Sequence, residues 1–284
     1  MQIIELSSKM SSVAQLLRKE RKTTGFVPTM GALHKGHLSL VEEAKKQCDI
    51  VIVSIFVNPT QFNDKNDLKN YPRDTKKDIE LLKEVGCELL FLPDVKQIYP
   101  EPDNRTYDFG NLDKVMEGYY RPGHFNGVAQ VVSRLFDIVK PDKAFFGEKD
   151  YQQLAIIREM TRKLNYDIEI VGVPTIREDD GLAMSSRNML LTKEQRKKST
   201  VIARTLFESY NFAKSKSIEE TINFVVEKID NVSGFNTEYF EIVDGDTLQR
   251  VNSWDQSGYI AGCIAVYAGD IRLIDNVIYK KEMS

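Results

Sequence analysis

Val27-Pro28-Thr29-Met30-Gly31-Ala32-Leu33-His34-Lys35-Gly36-His37-Leu38 follows an apolar run, Thr24-Gly25-Phe26-Val27, and leads into an amphipathic pattern carrying Leu38, Leu40, Val41 and Ala44. That is the order of a buried strand, a tight turn and a helix start. In open α/β sheets, the turn at a strand's carboxyl end is where phosphate-bearing ligands dock. This turn holds His34 and His37, two of the three histidines in the chain. At i and i+3 on a helix start they share one face, beside N–H groups that favour an anion. Capping or core histidines are the ordinary alternative. Gly31 and Gly36, which permit close backbone approach, favour a ligand. Neither Gly-x-x-x-x-Gly-Lys-Ser/Thr nor Gly-x-Gly-x-x-Gly occurs here, so the turn is neither a Walker loop nor a dinucleotide fingerprint.

Upstream, Ser7, Ser8 and Ser11 precede a helical pattern and are expected to cap it. Ile50 to Val57 is an almost unbroken β-branched run without alternation, as in a strand covered on both faces. It ends at the turn Asn58-Pro59-Thr60-Gln61-Phe62. Residues 64–73 read as a loop, 76–85 as a helix stopped by Gly86, 88–92 as a strand, and 93–113 as an irregular excursion. A helix over 128–139, a strand entering Gly147-Glu148-Lys149-Asp150, a helix over 152–164 and a strand over 167–173 continue the alternation. Strand and helix in regular turn predict an α/β fold, a doubly wound parallel sheet.

After Pro174 the texture becomes polar. A domain boundary is expected there, dividing residues 1–175 from 176–284, with a hinge near 174–188. Helices over 193–213 and 218–229 and strands over 237–243, 260–267 and 271–274 predict a smaller C-terminal α+β domain. Ala268-Gly269-Asp270 is its expected hairpin turn.

Composition narrows the class. In 284 residues, 39 Lys+Arg against 42 Asp+Glu give a formal charge of -3, so no basic field argues for a nucleic-acid or membrane partner. Cys48, Cys87 and Cys263 are odd in number and far apart, and read as reduced, mostly buried thiols. The first ten residues lack a signal-peptide core, and no run approaches the roughly 18 apolar residues that span a bilayer. A soluble, cytoplasmic protein is expected.

Three further clusters carry chemistry. In Gly147-Glu148-Lys149-Asp150-Tyr151-Gln152-Gln153, a lysine suits phosphate and an aspartate suits a ribose diol, although a solvated charged loop is the commoner fate of such a run. Met184-Ser185-Ser186-Arg187-Asn188 offers two hydroxyls and a guanidinium, or a serine-rich linker. Gln61, Arg121 and His124 each lie near Pro or Gly at a loop, as a site or a surface turn would. The His34, Gln61 and Lys149 turns each follow a predicted buried strand, so all three should gather at one sheet edge.

Taken together these motifs, with Tyr71-Pro72-Arg73, resemble the pantothenate synthetase (pantoate-beta-alanine ligase) family nearly end to end. The His-x-Gly-His element is also similar to the signature of the wider nucleotidyltransferase superfamily. Met-Ser-Ser-Arg is similar to that superfamily's Lys-Met-Ser-Lys-Ser loop, with Ala183 in place of the first lysine and Arg187 in place of the second serine. The resemblance implies a Rossmann-like domain and a C-terminal lid. It implies a ligase that joins (R)-pantoate to beta-alanine through a pantoyl adenylate, with ATP as co-substrate, Mg2+, and a homodimer.

For individual residues the resemblance implies that Met30, Gly31, Ala32, Leu33, His34, Lys35, Gly36 and His37 line ATP, with His37 the usual proton donor. It implies that Gly147, Glu148, Lys149 and Asp150, with Ile176 and Met184 at the adenine, complete the nucleotide site. Lys149, Ser185, Ser186 and Arg187 should hold the phosphates as pyrophosphate leaves. Gln61 and Gln153 match the pantoate glutamines, Gln61 also meeting beta-alanine. Asn58, Tyr71, Arg121 and His124 fall at other site positions. A carboxylate pair near the family's metal region matches Lys77 and Asp78, so one half is absent and the metal ligands are unassigned. A nucleotidyltransferase that stops at the nucleotide adduct, and a binding module derived from a synthetase, are the alternatives; free AMP distinguishes the first and turnover the second.

Overall fold

A computed structural model of the chain describes residues 1–62 and 65–282. Among these residues nine strands form two sheets. The first comprises β1 (Gln2–Ile4), β2 (Thr24–Thr29), β3 (Ile50–Ile55), β4 (Leu89–Phe91), β5 (Lys143–Gly147) and β6 (Glu169–Val173), in the order β1-β4-β3-β2-β5-β6 and all parallel. The chain steps outward from β2 through β3 to β4, then returns to the other side of β2 as β5. Strand order therefore reverses beside β2, the switch point where α/β sheets open a crevice at their carboxyl ends.

The sheet is covered on both faces, and β2 shows why. Its adjacent residues Phe26 and Val27, both fully buried, point to opposite faces. Val27 packs with Leu40, Val41 and Ala44 of the Lys35–Gln47 helix, together with Val53, Leu82, Leu90 and Phe145. Phe26 meets Phe136 of the His124–Val139 helix edge-on, ring centroids 6.4 Å apart. Helices on both faces make the sheet doubly wound, as the alternation predicts.

The second sheet, β7 (Phe235–Asp244), β8 (Tyr259–Ala268) and β9 (Ile271–Lys281), is antiparallel in the order β7-β8-β9. Gly269-Asp270 turns β8 into β9, with Gly269 at φ +61°. Its core joins Val201, Ile202 and Leu206 of the Thr200–Phe212 helix and Val225 and Ile229 of the Ile218–Asp230 helix to Phe240, Ile242, Ile264 and Leu273. This is the small α+β sheet domain.

The chain forms two compact units. One contains residues 1–109, 121–148 and 153–174; the other contains 110–120, 149–152 and 175–284. The short segments 110–120 and 149–152 belong with the second unit through side chains. Gln152 Nε2 donates to the carbonyls of Leu112 (2.7 Å) and Val115 (2.9 Å), and its Oε1 accepts from Glu117 N. Arg272 on β9 forks onto Glu117 (2.6 and 2.8 Å) and reaches Glu238.

Several local expectations are corrected. Ser7 does not cap its helix, which spans Ser7–Lys19 behind Leu6; its hydroxyl donates to Gln97 O. Lys65–Asn70 is a short helix within the expected loop, whose first residue, Asp64, lies outside the described residues. The expected 193–213 helix is two, Lys193–Lys198 and Thr200–Phe212, parted at Ser199, whose hydroxyl returns to Gln195 O. Of the cysteines, Cys87 and Cys263 are buried and Cys48 partly so. Burial pushes the Cys87 thiol up to about 12. No helix among the described residues is long and apolar enough to cross a membrane.

Candidate active site

The β2 turn is built from its backbone outward. Gly31 and Ala32 both take left-handed φ values, +84° and +51°, a conformation an alanine adopts only under constraint. Gly31 N donates to Thr29 Oγ1 (3.2 Å), whose hydroxyl donates to Ser54 O on β3 (2.8 Å). The next two amides, Ala32 N and Leu33 N, donate to Asp78 Oδ2 (3.0 Å) and Oδ1 (2.7 Å).

His34 then caps the Lys35–Gln47 helix. Its Nδ1 accepts from Gly36 N (3.1 Å), and His34 N donates to Nδ1 of His37 (3.4 Å). An imidazole that accepts at Nδ1 carries its hydrogen on Nε2. Both rings therefore carry their hydrogen on Nε2, with centroids 4.1 Å apart. His34 thus takes the capping role at the helix start, and the N–H groups of Ala32, Leu33 and Gly36 bond protein atoms.

One strand over, β3 ends in a single 3-10 turn, Pro59–Gln61. Gln61, itself buried, is fixed at both ends of its amide: Oε1 accepts from Asn58 Nδ2 (3.1 Å), and Nε2 points to Met30 Sδ (3.3 Å). Asn58 is held in turn by Tyr99, whose hydroxyl donates to its Oδ1 (2.9 Å), and by its own bond to Gly127 O (3.1 Å). His124 Nδ1 bonds Gln61 O (2.9 Å), so this ring carries its hydrogen on Nδ1, and Nε2 accepts from Arg121 (3.2 Å). The third histidine thus has the tautomer opposite to the other two. Tyr71 is buried and lies edge-on to Phe62, 5.7 Å between centroids.

The structure therefore brings Met30, His34, His37, Asn58, Gln61, Arg121 and His124 together around the carboxyl ends of the adjacent strands β2 and β3. Gly147 ends β5 on the other side of β2, and Glu148 N donates to Val173 O on β6 (2.8 Å). The three predicted turns follow three neighbouring parallel strands. Gln153 is half-buried, whereas Gln152 is spent on the 110–120 segment.

In the second unit, Ile176 and Met184 are brought together directly: Met184 N donates to Ile176 O (3.0 Å), and Arg177 and Ala183 pair beside them. Gly181, at φ +91°, turns this narrow hairpin. Ser185 caps the 3-10 helix Ser186–Leu190 by accepting from Arg187 N (3.3 Å), Ser186 is buried, and Asn188 Nδ2 ties the loop to Ala183 O. Arg177 anchors the hairpin to Asp275 on β9 through two bonds, 2.7 and 2.9 Å. Lys149 and Asp150 pair with each other at 3.6 Å, and Lys149 O accepts from Asn276 (3.1 Å).

The sequence model of the pantoate-beta-alanine ligases matches residues 2–278. The chain belongs to this family. It is 53% identical to a pantothenate synthetase of Bacteroides fragilis over 281 residues, covering 99% of this chain and all of the relative. It is 50% identical to one from Porphyromonas gingivalis over 280 residues, again covering 99% and 100%. Among solved structures it is similar to the pantothenate synthetase of Thermus thermophilus, with a TM-score of 0.92, 43% identity and coverage of 99% and 100%. It is also similar to a pantoate-beta-alanine ligase of Francisella tularensis complexed with beta-gamma ATP and beta-alanine, with a TM-score of 0.83, 36% identity and full coverage of both chains.

The residues of this chain that no sequence motif marks are those that hold others in place. Tyr99, Gly127, Asp275 and Asn276 act across 41, 69, 98 and 127 residues of chain, and no local pattern marks them. Asp78 has both oxygens on backbone amides. No group of three or more His, Cys, Asp or Glu among the described residues could hold a metal.

Proposed function

We propose that this chain condenses (R)-pantoate with beta-alanine, converting ATP to AMP and pyrophosphate by way of a pantoyl adenylate. The observation that carries the reading is the pair of imidazoles at the end of β2, one strand from the clamped amide of Gln61, in a chain of the pantoate-beta-alanine ligase family. In the first half-reaction, a pantoate carboxylate oxygen bonds the α-phosphorus as the bond to pyrophosphate breaks. The carboxylate is already an anion, so the step needs no base. What opposes it is charge: an anion approaches a polyanion, and further charge builds on the departing phosphates.

Nε2–H donors fixed at His34 and His37 meet that charge without reorganising, the arrangement that lowers such barriers most. His37 serves as a hydrogen-bond donor to the phosphates. Lys149, Ser185, Ser186 and Arg187 are assigned to the pyrophosphate, and Asp150 and Gly147 to the ribose. Ile176 and Met184 are assigned to the adenine. Gln61 and Gln153 hold pantoate with neutral amides, which orient its carboxylate without neutralising it. In the second half-reaction, the beta-alanine amine attacks the acyl carbon and AMP departs. Mg2+ enters as part of the co-substrate, on the phosphates of ATP. The reading carries with it a C-terminal lid hinged near residues 174–188, a homodimer and a cytoplasmic setting.

The test is pyrophosphate release across a panel of small hydroxy acids, with and without beta-alanine. Release is expected only with pantoate, and pantothenate and AMP only when beta-alanine is added. Pyrophosphate that ignores pantoate, or AMP without amide product, overturns the reading. Scattering profiles with and without ATP test the lid, and the mass in solution tests the dimer.

A further inference from the structure

We infer that Asp78 is a positioning residue of the His34–His37 element: a built-in anion that holds the β2 turn in the shape that aims both imidazoles. The inference rests on the reading above for its catalytic consequence, and on geometry alone for its structural one.

Asp78 stands in the first turn of the Thr75–Glu84 helix and is only 2% exposed. Its helix is anchored by Asp74, whose carboxylate accepts from Lys77 N (3.1 Å) and whose carbonyl accepts from Asp78 N (2.9 Å). Each carboxylate oxygen of Asp78 takes one amide of the turn, Ala32 N at 3.0 Å and Leu33 N at 2.7 Å. A Cβ built on Gly31 would lie 3.0 Å from Oδ2, so the carboxylate is seated directly against that α-carbon.

The turn needs such a partner. Ala32 at φ +51° is in a conformation that costs a β-carbon-bearing residue about 1–2 kcal/mol. It persists only where the surroundings over-determine it. Two consecutive amides pointing one way form an anion-binding concavity, the feature that elsewhere cradles phosphate. Here the protein fills it with its own carboxylate. Burial raises the Asp78 pKa, and the two amides act against that rise. The consequence falls on His34, the residue after Leu33. With Ala32 and Leu33 fixed, His34 is delivered at the helix cap, and its Nδ1 contact with Gly36 sets the ring. Asp78 therefore spends both oxygens on the turn and does not serve as half of a metal-binding pair.

The experiment uses the full chain and has two readouts. The first is hydrogen exchange in wild type. The Ala32 and Leu33 amides are expected to be protected to the level of the β2 and β3 amides, and in Asp78→Asn to exchange faster while those strands stay protected. The second is pantoate-dependent pyrophosphate release. Asp78→Asn is expected to lower kcat on the order of 10- to 100-fold, the loss of a charge-assisted contact. Excess Mg2+ is expected to restore nothing. Ala32→Gly, which removes the left-handed strain, is expected to recover several-fold of the loss when added to D78N. Restoration by Mg2+ overturns the inference, as does unprotected Ala32 and Leu33 in wild type, a measurement that needs no variant to fold. If wild type releases no pyrophosphate with pantoate, the ligase reading fails while the exchange data still decide the role of Asp78.

Discussion

His124 donates its Nδ1 hydrogen to the backbone carbonyl of Gln61 at 2.9 Å, so a histidine 63 residues downstream sets the floor under the glutamine assigned to pantoate. His124 is buried, and its other nitrogen is occupied by Arg121. Its part is to orient the Gln61 turn. His124→Ala leaves that carbonyl without its donor in a buried setting, a cost of about 1–3 kcal/mol. The expected outcome is a lower melting temperature and a KM for pantoate raised about tenfold, with the KM for ATP little changed. Steady-state kinetics in each substrate make the comparison, and an equal rise in both KM values would count against it.

Gly127 is the glycine on which this arrangement depends. A Cβ there would sit 2.5 Å from Thr60 O and 2.8 Å from Gln61 Cα, contacts that backbone cannot yield cheaply. Two effects compete in Gly127→Ala. Helix propensity favours alanine by about 1 kcal/mol, whereas overpacking against backbone costs about 1–3 kcal/mol. The clash prevails, because the atoms met are main chain. Net destabilisation is expected in urea unfolding, together with weaker pantoate binding; a stabilised variant would show that the helix and the turn separate easily.

That pair of residues also shows where the sequence was readable and where it was not. The parallel sheet follows from the runs of buried β-branched residues, and the histidine turn from glycines and spacing next to such a run. The helix bearing His124 was expected only from Val128, because His124, Asn126 and Gly127 interrupt its apolar period. The structure starts it at His124, behind Gly123 at φ +82°. Those polar residues are spent on tertiary contacts: Asn126 Oδ1 accepts from Tyr107 N, and Gly127 gives room for Gln61. β1, three residues long, carries too few positions for a period, and it forms because β4 offers it an edge. Contacts that close over tens of residues leave no local signature, so Tyr99, and the hold of Asp78 on the β2 turn, could be found only in three dimensions.

His34 and His37 should separate in their effects on stability. His37 accepts its amide at 3.4 Å, a weak contact, so His37→Ala is expected to melt close to wild type. Loss of one fixed donor to the phosphates is expected to slow pyrophosphate release on the order of 100- to 1000-fold. His34→Ala removes a true cap at 3.1 Å and should also cost about 1 kcal/mol of stability. Calorimetry beside single-turnover release decides this, and full activity in His37→Ala would remove its phosphate role.

Glu117 ties the 110–120 segment to β9. It receives the Arg272 fork and the Tyr239 hydroxyl (2.8 Å), a largely buried cluster. Glu117→Gln keeps the shape and deletes the charge. Breaking a buried pair costs about 3–5 kcal/mol, and the lower end is expected because Glu238 still holds Arg272. Urea unfolding gives the value; a change under about 0.5 kcal/mol, as at an exposed pair, would mean that the cluster is solvated.

Two aspartates should respond to pH with opposite signs. The Arg105 guanidinium, aided by Arg134 and opposed by burial, holds the Asp103 carboxyl well below the usual carboxylate range. A depressed folded value means stability that is fully present above the unfolded value of about 3.9 and fades as pH falls below it. Asp103→Asn cannot titrate, so its deficit against wild type should be constant from neutral pH down to about 5 and shrink below about 4. For Asp78 burial dominates and the folded value is raised. Its charge therefore costs stability above that value, and the cost vanishes as pH falls through it toward about 3.9. Relative to Asp78→Asn, wild type should gain stability over that descent. Urea midpoints of the three proteins between about pH 3 and 7 test both signs, and parallel curves would show that neither carboxylate is perturbed as its surroundings require.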